Sequence, residues 1–404
     1  MDPPLPAAKV ATTFPGERAV IIDSGEGVRV GIIGAGQLGA YLCRAARQLG
    51  MHTTVLAASP DDIAVPFADA VVLGEDRAAA ACLPEQVDVV TYEKEDIPGA
   101  LLDTLDARGN LVVAPDTGVL RLLQNKARQK HWLARHGFPT SEFRVLDGHW
   151  RADALAGELG DPWVLKTQTG GYDGLGVKVV RAPEDTEAFA GVACIAERFV
   201  AHDRELAVVV ARGRDGQLAS FPVCQLNFDA HGNVLRSVVA PAPVPAATAR
   251  EATDLATAVV AALKGVGVFA VELFQATDGT LLVNEISPRV HNSGHLTLEA
   301  CSVSQFELHL RAISGMSLPV IEQRRPAAMV NVLCEAPAAP GGALPAAGRF
   351  AVAPDVYVHW YGKRQPRPLR KLGHVTATGD DTGQALASAE RALAGLPFQS
   401  DVAA

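Results

Sequence analysis

Two glutamates are predicted to face each other across a β-hairpin. The apolar segments 268–274 and 281–286 flank Asp278-Gly279, a dipeptide that strongly signals a two-residue hairpin turn. Counting outward from that turn pairs Glu272 with Glu285 on neighbouring strands. Like charges that face each other on one side of a sheet are unfavourable, so this pairing needs a physical explanation.

A divalent cation is the explanation that we favour for the facing carboxylates. Apolar residues predicted on the same face make solvation of the charges less favourable, and they are Ala270, Phe274 and Val283. Burial strengthens the repulsion between two carboxylates, and Mg²⁺ relieves it because it binds carboxylates together with substrate phosphates. Glu272 and Glu285 are therefore predicted as metal ligands. A solvated sheet face and a protonated pair remain the alternatives.

A glycine-rich segment follows a short apolar strand in the middle of the chain. Lys166 closes the strand 163–165, a new strand begins at Val177, and four glycines occur between them. The backbone N–H groups of such a flap can close over a polyphosphate, and a turn made only for folding is the alternative. The segment is not a Walker loop, because no Gly-Lys-Ser/Thr sequence precedes a helix there.

The GAGQLG sequence at Gly34 to Gly39 lies between a predicted strand and a predicted helix. Glycines at such a place let the backbone approach a phosphate at the helix N-terminus. A dinucleotide site would also need an acidic residue about 20 residues later, but the acids arrive only at Asp61-Asp62. An NAD site is therefore the least favoured interpretation, and a structural tight turn and an anion or substrate site stay open.

Two further segments offer clusters of cations and hydrogen-bond donors. The loop 288–295 contains an arginine, an asparagine and two histidines directly after the strand that carries Glu285. Nearer the C-terminus, five cations occur in the nine residues 363–371 of a chain whose net charge is −9. Such a basic cluster on an acidic protein suits a phosphate monoester. Packed loop histidines and an exposed charged loop are the alternatives.

The composition is that of a globular protein and argues against membrane and nucleic-acid partners. Of its 404 residues, 48% are hydrophobic and 20% are charged, which excludes disorder and coiled coil. No apolar run approaches the ~20 residues of a membrane span, and the net charge of −9 argues against a nucleic-acid partner. Six scattered cysteines without a CxxC pair, and an N-terminus without a secretory signal, predict a cytoplasmic location.

The candidate residues must be positioned by an α/β fold followed by an α+β fold. From Val28 to about residue 124, strands alternate with helices, which predicts a parallel sheet. A helix predicted over 125–136 ends at Gly137, and pairs of strands then alternate with helices to about residue 325. The last section is predicted to hold a strand near 356–360 and a short C-terminal helix.

Taken together, these motifs resemble those of the 5-(carboxyamino)imidazole ribonucleotide synthase family, which are ATP-grasp enzymes of purine biosynthesis. The resemblance runs from about residue 28 to the C-terminal helix. The sequences that carry it are GAGQLG, VTYE at 90–93, GGYDG-x-G, FAVELF, NEISPRVHNSGH, SQFELHLRAI and RKLGHVT. The RVHNSGH run is far more specific than any glycine loop.

The resemblance implies a three-domain fold and a ligase reaction. An irregular extension at 1–27 would precede a Rossmann-like pre-ATP-grasp domain at 28–124, an ATP-grasp domain at 125–325 and a small C-terminal domain at 326–404 that completes the substrate site. ATP would phosphorylate bicarbonate to carboxyphosphate, and the exocyclic amine of 5-aminoimidazole ribonucleotide would then be carboxylated. The resemblance also implies ATP and Mg²⁺ as cofactors and a homodimer.

Residue roles carry over where this sequence matches the family motifs. ATP would be bound by Lys126, Lys166, Gly171, Tyr172, Asp173, Gly174, Leu175, Gly176, Val177, Glu197, Arg198, Phe199, Val200, Glu205, Gln225, Asn284 and Glu285. The aminoimidazole ribonucleotide would contact Gln37, Leu38, Glu93, Tyr172, Asp173, Arg289, Lys363, Arg370 and Lys371. The groups in the catalytic step would be Tyr172, Asp173, Arg289, His291 and Lys371, with Mg²⁺ on Glu272 and Glu285.

The sequence departs from the family pattern at several positions, most of them on the nucleotide side or in secondary places. These positions are Lys94, Lys126, Leu175, Ala196, Gln225 and Leu369. Such departures also fit a paralogous ATP-grasp ligase that acts on a related amine or carboxylate in another pathway. A non-catalytic or NAD-binding protein, resting on GAGQLG alone, is the third hypothesis.

Overall fold

The computed structural model describes residues 27–74, 77–83, 87–109, 111–146, 150–171, 176–229, 234–334, 347–363 and 368–396. Three predicted features lie wholly or partly outside these residues, and they are the extension at 1–26, Tyr172 to Leu175 of the glycine-rich segment, and 364–367 of the basic segment. Within the described ranges, none of the helices combines the length and the apolar character that a membrane crossing requires.

A parallel sheet forms the N-terminal part of the protein, as predicted. Its strands are β1 (Arg29–Ile33), β2 (His52–Ala57), β3 (Ala70–Leu73), β4 (Val89–Tyr92) and β5 (Val112–Val113). Its helices are α1 (Gln37–Gln48), α2 (Arg77–Cys82), α3 (Gly99–Asp106) and α4 (Thr117–Leu123). The spatial order β3-β2-β1-β4-β5 reverses between β1 and β4. Ligands of such sheets bind in the crevice at the carboxyl ends of the strands at this reversal.

Helix α1 joins this sheet to the rest of the protein through its apolar face. Leu42 is fully buried, and Tyr41 stacks on Phe306 with the ring centroids 4.9 Å apart. The hydrophobic core around them is shared by α1 and by strands of the larger sheet described below. The GAGQLG loop at the start of α1 therefore has a fixed position relative to that larger sheet.

An antiparallel sheet of four strands comes next, after a capped helix. Helix α5 (Lys126–Arg135) begins where the side chain of Asn125 accepts the backbone N–H of Arg128 at 2.9 Å. The strands are β6 (Phe143–Leu146), β7 (Trp163–Thr167), β8 (Val177–Val180) and β9 (Cys194–Arg198), in the order β6-β9-β7-β8. Helix α6 (Ala152–Leu159) covers one face, where Trp163 is almost completely buried.

The remaining strands form one large antiparallel sheet. They are β10 (His202–Arg212), β11 (Leu218–Ser220), β12 (Cys224–Phe228), β13 (Leu235–Ala240), β14 (Gly267–Ala276), β15 (Leu281–Ser287), β16 (Ala327–Leu333), β17 (Gly348–Ala353), β18 (Val356–Trp360) and β19 (Lys371–Thr378). The order is β15-β14-β10-β12-β13-β16-β19-β18-β17, and β11 pairs with β10. The pairing of β13 with β16 carries the sheet across the domain boundary proposed at residue 325.

Helices cover both faces of the large sheet. They are α7 (Ala246–Leu263), α8 (Thr297–Ala300), α9 (Gln305–Ser314) and α10 (Thr382–Ala394). Helix α7 packs on β10 with the apolar side that contains Ala252, Ala256 and Val259. Helix α10, the C-terminal helix predicted from the sequence, packs on β16 and β19. Short 3₁₀ turns occur at Val65–Phe67, Pro183–Phe189 and Asn292–Gly294.

Candidate active site

A cavity between the four-stranded sheet and the large sheet gathers most of the residues predicted to bind ATP and metal. The predicted residues that line it are Lys126, Lys166, Gly171, Val177, Glu197, Arg198, Phe199, Val200, Glu205, Glu272, Asn284, Glu285, Arg289, His291 and Lys371. They come from segments far apart in sequence, which the fold brings to one place. We call this space the nucleotide cavity.

The opposition of Glu272 and Glu285 is confirmed, but the hairpin reaches it by a different route. Gln275 pairs with Leu281, so the register at the turn is one residue away from the one that the Asp278-Gly279 count predicts. The register then shifts between Leu273 and Glu272, because a β-bulge adds Asn284 to β15 at that point. This shift restores the predicted pairing of Glu272 with Glu285. The two irregularities compensate each other.

The bulge changes which side chains accompany the glutamates. A bulge sets two residues of one strand against a single partner, and here both Asn284 and Glu285 line the cavity. The prediction that Val283 shares this face is wrong. Val283 pairs with Leu273 and is buried in the core on the opposite side of the sheet, because the shifted register at the turn reverses its direction.

The two glutamates have different electrostatic surroundings. Burial, followed by the charges of Glu285 and Glu205, raises the pKa of Glu272 to about 8. Burial acts in the same direction on Glu285, but the ammonium group of Lys126 lies against its carboxylate and lowers the pKa below the usual range. Glu272 Oε1 also lies 3.7 Å from His291 Nε2. A cation near Glu272 would remove the repulsion that opposes its ionisation.

The donor set fits Mg²⁺ bound jointly by protein and substrate. Among the described residues, no group of three or more acidic, histidine or cysteine side chains could enclose a metal ion by itself. The cavity instead presents two facing carboxylates next to lysines suited to phosphate. Mg²⁺ is commonly bound by one or two carboxylates, with phosphates and water as its other ligands.

A buried carboxylate between two lysines lies at the base of the nucleotide cavity. Glu197 is 2% exposed, and its oxygens lie 3.2 Å from the ammonium nitrogens of Lys130 and Lys166. Burial would raise the pKa of Glu197, but the two ammonium groups outweigh it and lower the pKa to about 2. Lys166 Nζ also donates to Asn284 Oδ1 at 3.0 Å. Sequence analysis missed Lys130, since its place in α5 gave no sign of this contact.

Aromatic and apolar side chains also line the nucleotide cavity, and they include Phe199, Val200 and Phe274. His202 lines it as well and stacks on Phe274 with the ring centroids 4.6 Å apart. His202 Nδ1 lies 2.8 Å from the carbonyl oxygen of Val200 and its Nε2 lies 3.4 Å from Glu205 Oε1. With acceptors on both ring nitrogens, the imidazolium form is favoured, and the pKa of His202 is raised by the contact with Glu205. Sequence analysis missed this histidine.

Arg289 and His291 approach the glutamates from the loop after β15. Arg289 Nη2 donates to Glu95 Oε1 at 2.6 Å, and Glu95 is a cavity residue that sequence analysis missed. His291 Nδ1 accepts the backbone N–H of Ser293, so the hydrogen-bond pattern assigns the ring proton to Nε2, which faces Glu272. Burial and the nearby Arg289 lower the pKa of His291 well below its usual value, which favours a neutral ring.

A second cavity lies at the reversal point of the N-terminal sheet. It is lined by Gln37, Glu93, Lys363 and Arg370, together with the glycine loop and Asp61 and Asp62. Arg370 and Lys371 are neighbours in sequence but line different cavities. The described cations of the basic segment therefore do not all line one cavity, because Lys363 and Arg370 line this one and Lys371 lines the nucleotide cavity. We call this second space the anion cavity.

The N-terminus of α1 is already occupied by a carboxylate of the protein itself. Glu93 accepts the backbone N–H groups of Gly36 at 2.5 Å and Gly39 at 2.6 Å. A Cβ atom on Gly36 would lie 2.6 Å from Glu93 Oε1, which explains the glycine there. A dinucleotide pyrophosphate would need the same N–H groups, so this contact argues further against an NAD site.

Two predicted ligands do not point into either cavity. Gln225 lies on β12 opposite Leu206, whose side chain belongs to the core on the far side of the sheet from Glu205, and its amide nitrogen donates to Asn227. Alternation along the strand therefore turns Gln225 away from the nucleotide cavity, and its assignment to ATP is wrong. The side chain of Leu38 is buried in the apolar core, which excludes it as a side-chain contact to substrate.

Three protein-family models match consecutive parts of the chain. The ribonucleotide synthetase preATP-grasp domain matches residues 28–124, the ATP-grasp domain matches 131–306, and the phosphoribosylaminoimidazole carboxylase C-terminal domain matches 327–388. The predicted fold, with a Rossmann-like part, an ATP-grasp part and a small C-terminal part, is therefore confirmed.

The chain is also similar, along most of its length, to individual proteins with closely related names. The N5-carboxyaminoimidazole ribonucleotide synthase of Synechococcus elongatus is 38% identical over 353 residues, which cover 86% of this chain and 88% of the relative. The crystal structure of the Aspergillus clavatus carboxyaminoimidazole ribonucleotide synthase with ATP has a TM-score of 0.82 at 32% identity and covers 91% of this chain and 97% of that one. Another Aspergillus clavatus structure, with ADP and 5-aminoimidazole ribonucleotide, has a TM-score of 0.80 at 32% identity and covers 91% and 98%.

The resemblance inferred from the motifs is thus confirmed by similarity along most of the chain in both sequence and structure. From these matches we conclude that the chain belongs to the N5-carboxyaminoimidazole ribonucleotide synthase family.

Proposed function

We propose that this protein is an ATP-dependent ligase that carboxylates the exocyclic amine of 5-aminoimidazole ribonucleotide in purine biosynthesis, with bicarbonate as the carbon source and carboxyphosphate as the intermediate. The observation that carries the proposal is the pair of adjoining cavities. One holds facing carboxylates and buried lysines, which suit a metal-bound triphosphate, and the other holds Lys363 and Arg370, which suit a ribonucleotide phosphate.

Mg²⁺ would be held by Glu272 and Glu285, with the phosphates of ATP supplying further ligands. The ion would neutralise charge that develops on the phosphoryl oxygens during transfer. Lys126, whose ammonium group contacts Glu285, would bind a phosphate oxygen of ATP, and the Glu285 carboxylate would then be available as a metal ligand. This exchange would leave each charge in the cavity with an opposite partner.

The remaining nucleotide contacts follow from the walls of the cavity. Lys166 would meet the phosphates, and the segment from Glu197 to Val200 would meet the adenine edge. Glu205 would hold the ribose hydroxyls, since its carboxylate faces the cavity next to Phe274. Gly171, Gly176 and Val177 flank residues 172–175, which would cover the phosphates as the family resemblance implies.

Bicarbonate would bind in the part of the nucleotide cavity that Arg289, His291 and Lys371 line. The bicarbonate oxygen would take the terminal phosphoryl group of ATP and release ADP. The amine nitrogen would then form a bond to the carboxyl carbon as phosphate leaves, and Asp173 would accept the amine proton. Tyr172 and the neighbouring glycines would exclude water, because carboxyphosphate is otherwise lost to hydrolysis.

Location and assembly are also part of the proposal. All six cysteines lie in the described part of the chain as unpaired thiols, five of them buried, which supports a reducing cytoplasm. A homodimer is the assembly that the family resemblance implies. The alternative of a ligase for a different amine or carboxylate is not favoured by any of the relatives reported above.

The test is ADP formation from Mg-ATP and bicarbonate with and without 5-aminoimidazole ribonucleotide. We expect ADP release to depend strongly on the ribonucleotide, because its amine consumes the intermediate. ADP release that is indifferent to this acceptor would count against the proposed substrate. A panel of other amines and carboxylates in the same assay provides the comparison.

A further inference from the structure

Lys130 is a buried lysine that has no place among the proposed ligands. It is 2% exposed, it lies on α5 one turn after Lys126, and it does not line the nucleotide cavity. Its ammonium group contacts Thr140 Oγ1 and Ser141 Oγ at 2.8 Å each and Glu197 Oε2 at 3.2 Å. An ammonium group has three hydrogens to donate, so these contacts use its capacity.

Lys130 can therefore reach a bound nucleotide only through Glu197. The carboxylate of Glu197 lies between the two lysines. Its Oε2 lies 3.2 Å from Lys130 Nζ and accepts a hydrogen bond from Lys166 Nζ at 3.3 Å, and its Oε1 also lies 3.2 Å from Lys166 Nζ. Ser141 Oγ donates to Glu197 Oε2 at 2.7 Å and fixes the same oxygen. Lys130, Glu197 and Lys166 thus form a row of charged side chains. Lys166 is the one that lines the nucleotide cavity, where it also contacts Asn284.

The charges of this row determine what the cavity offers to a polyphosphate. Two ammonium groups and one carboxylate leave one net positive charge, which is expressed at Lys166 because Lys130 is enclosed. If Lys130 were uncharged, Glu197 would neutralise Lys166, and the row would carry no net charge. In a site with little water, the loss of one positive charge weakens the attraction for phosphate more than it would at a surface.

We propose that Lys130 is a positioning residue for ATP: it engages the carboxylate of Glu197 so that Lys166 keeps its charge for the nucleotide phosphates. The inference rests on the proposed function only in that Lys166 meets the polyphosphate. Lys130 touches no reacting atom, and its effect passes through one carboxylate. Removing that carboxylate should therefore make Lys130 dispensable for nucleotide binding.

A double-mutant cycle on Mg-ADP binding tests this inference. Lys130→Met should raise the Kd of Mg-ADP at least about tenfold, a change of about 1.4 kcal/mol, and should raise the KM for ATP more than it lowers kcat. In a Glu197→Gln background, the same substitution should change Kd by less than about threefold. Equal losses in both backgrounds, or no loss in the first, would overturn the proposal.

Ser141→Ala is the matched control, because it removes hydrogen bonds to both Lys130 and Glu197 without changing the charge of the row. It should lower thermal stability but change Kd by less than about threefold. A loss of nucleotide affinity as large as that of Lys130→Met would show that packing, and not charge, is responsible. It would therefore contradict the proposal.

Wild-type protein offers a second measurement should Lys130→Met not fold. The charged groups that act on Lys130 are Glu197, Lys166 and Glu285, and burial lowers the pKa of Lys130 to about 8. The Kd of Mg-ADP should therefore rise between about pH 7 and 9.5 in the wild type, and this rise should be absent in Glu197→Gln. Parallel pH profiles would refute the role of Lys130. Because neither measurement needs the ribonucleotide, each remains interpretable if the proposed acceptor is wrong.

Discussion

Glu272 and Glu285 stand opposite each other on β14 and β15, yet Glu285 contacts an ammonium group while Glu272 faces a histidine. The pair is thus held in unequal surroundings: the ammonium group of Lys126 lowers the pKa of Glu285, whereas burial, followed by the charges of nearby carboxylates, raises the pKa of Glu272 to about 8. This inequality indicates where a cation would have its largest effect, which is beside Glu272.

Neutralising either glutamate should remove most of the activity. Glu285→Gln or Glu272→Gln is expected to lower kcat by about 10³-fold, the scale on which loss of one charge-stabilising contact in a transition state is felt. The measurement is steady-state ADP formation over a range of Mg²⁺ concentrations. Glu158→Gln is the control, because the exposed carboxylate of Glu158 forms a surface ion pair with Arg144 outside the nucleotide cavity. Activity of Glu285→Gln within a few-fold of wild type would remove the metal assignment.

The anion cavity should determine affinity for the ribonucleotide without affecting ATP. Lys363→Met and Arg370→Met are each expected to raise the KM for 5-aminoimidazole ribonucleotide at least about tenfold, because a hydrogen bond to a charged group is worth about 1.5–3 kcal/mol. The KM for ATP should remain unchanged. Arg151→Met, at an exposed position before α6, is the matched loss of one positive charge. A parallel rise in both KM values would contradict the division into two cavities.

The glycine loop should be intolerant of a side chain at Gly36. Gly36→Ala places a methyl group against Glu93, and the overpacking should cost about 1–3 kcal/mol in the free energy of unfolding. Gly157→Ala is the control, since Gly157 lies in α6 with nothing within 4 Å of an added Cβ. That change should be neutral or stabilise the protein by up to about 1 kcal/mol. Urea denaturation compares them, and equal stability of the two variants would show that Glu93 does not fill the loop.

His202 should make a pH-dependent contribution to stability. Its contact with Glu205 raises its pKa in the folded protein, so the folded state binds the proton more tightly than the unfolded state. This contribution is fully present below the unfolded pKa of about 6.5 and is lost as the pH rises through the higher folded-state value. His202→Phe, which keeps an aromatic ring against Phe274, should abolish it.

The measurement is the free energy of unfolding of wild type and His202→Phe between about pH 5.5 and 8.5. The advantage of the wild type should shrink as the pH rises. Titrating groups that do not interact with His202 contribute equally to both proteins and cancel in the difference. A difference that is constant or that grows with pH would contradict the ion pair between His202 and Glu205.

Local patterns in the sequence were sufficient to predict the main helices and strands and the pairing of the two glutamates. The alternation of strands and helices predicts the parallel sheet, and Asn125 marks the start of α5. The opposition of Glu272 and Glu285 is right although the count used the wrong turn, because the bulge at Asn284 compensates the shift. A bulge depends on packing against the rest of the sheet. Counting residues along one hairpin gives no information about that packing.

The contacts that the sequence did not indicate join residues that lie far apart along the chain. Lys130 is recognised only when Glu197 is brought against it, and Glu93, which was expected to contact substrate, accepts a hydrogen bond from the backbone N–H of Gly36, 57 positions away. Gln225 was assigned to the wrong face because motif matching gives a position but not a direction, which alternation along β12 decides. These contacts depend on tertiary structure, and the local sequence does not encode them.

The most direct test of the whole account follows the carbon atom. Wild-type protein, Mg-ATP and 5-aminoimidazole ribonucleotide are incubated with ¹³C-bicarbonate, and the labelled carbamate and ADP are measured together by nuclear magnetic resonance and a coupled assay. The account predicts that labelled carbamate on the exocyclic nitrogen appears in equal amount to ADP and that both disappear without ATP. ADP formation without a labelled carbamate would contradict it.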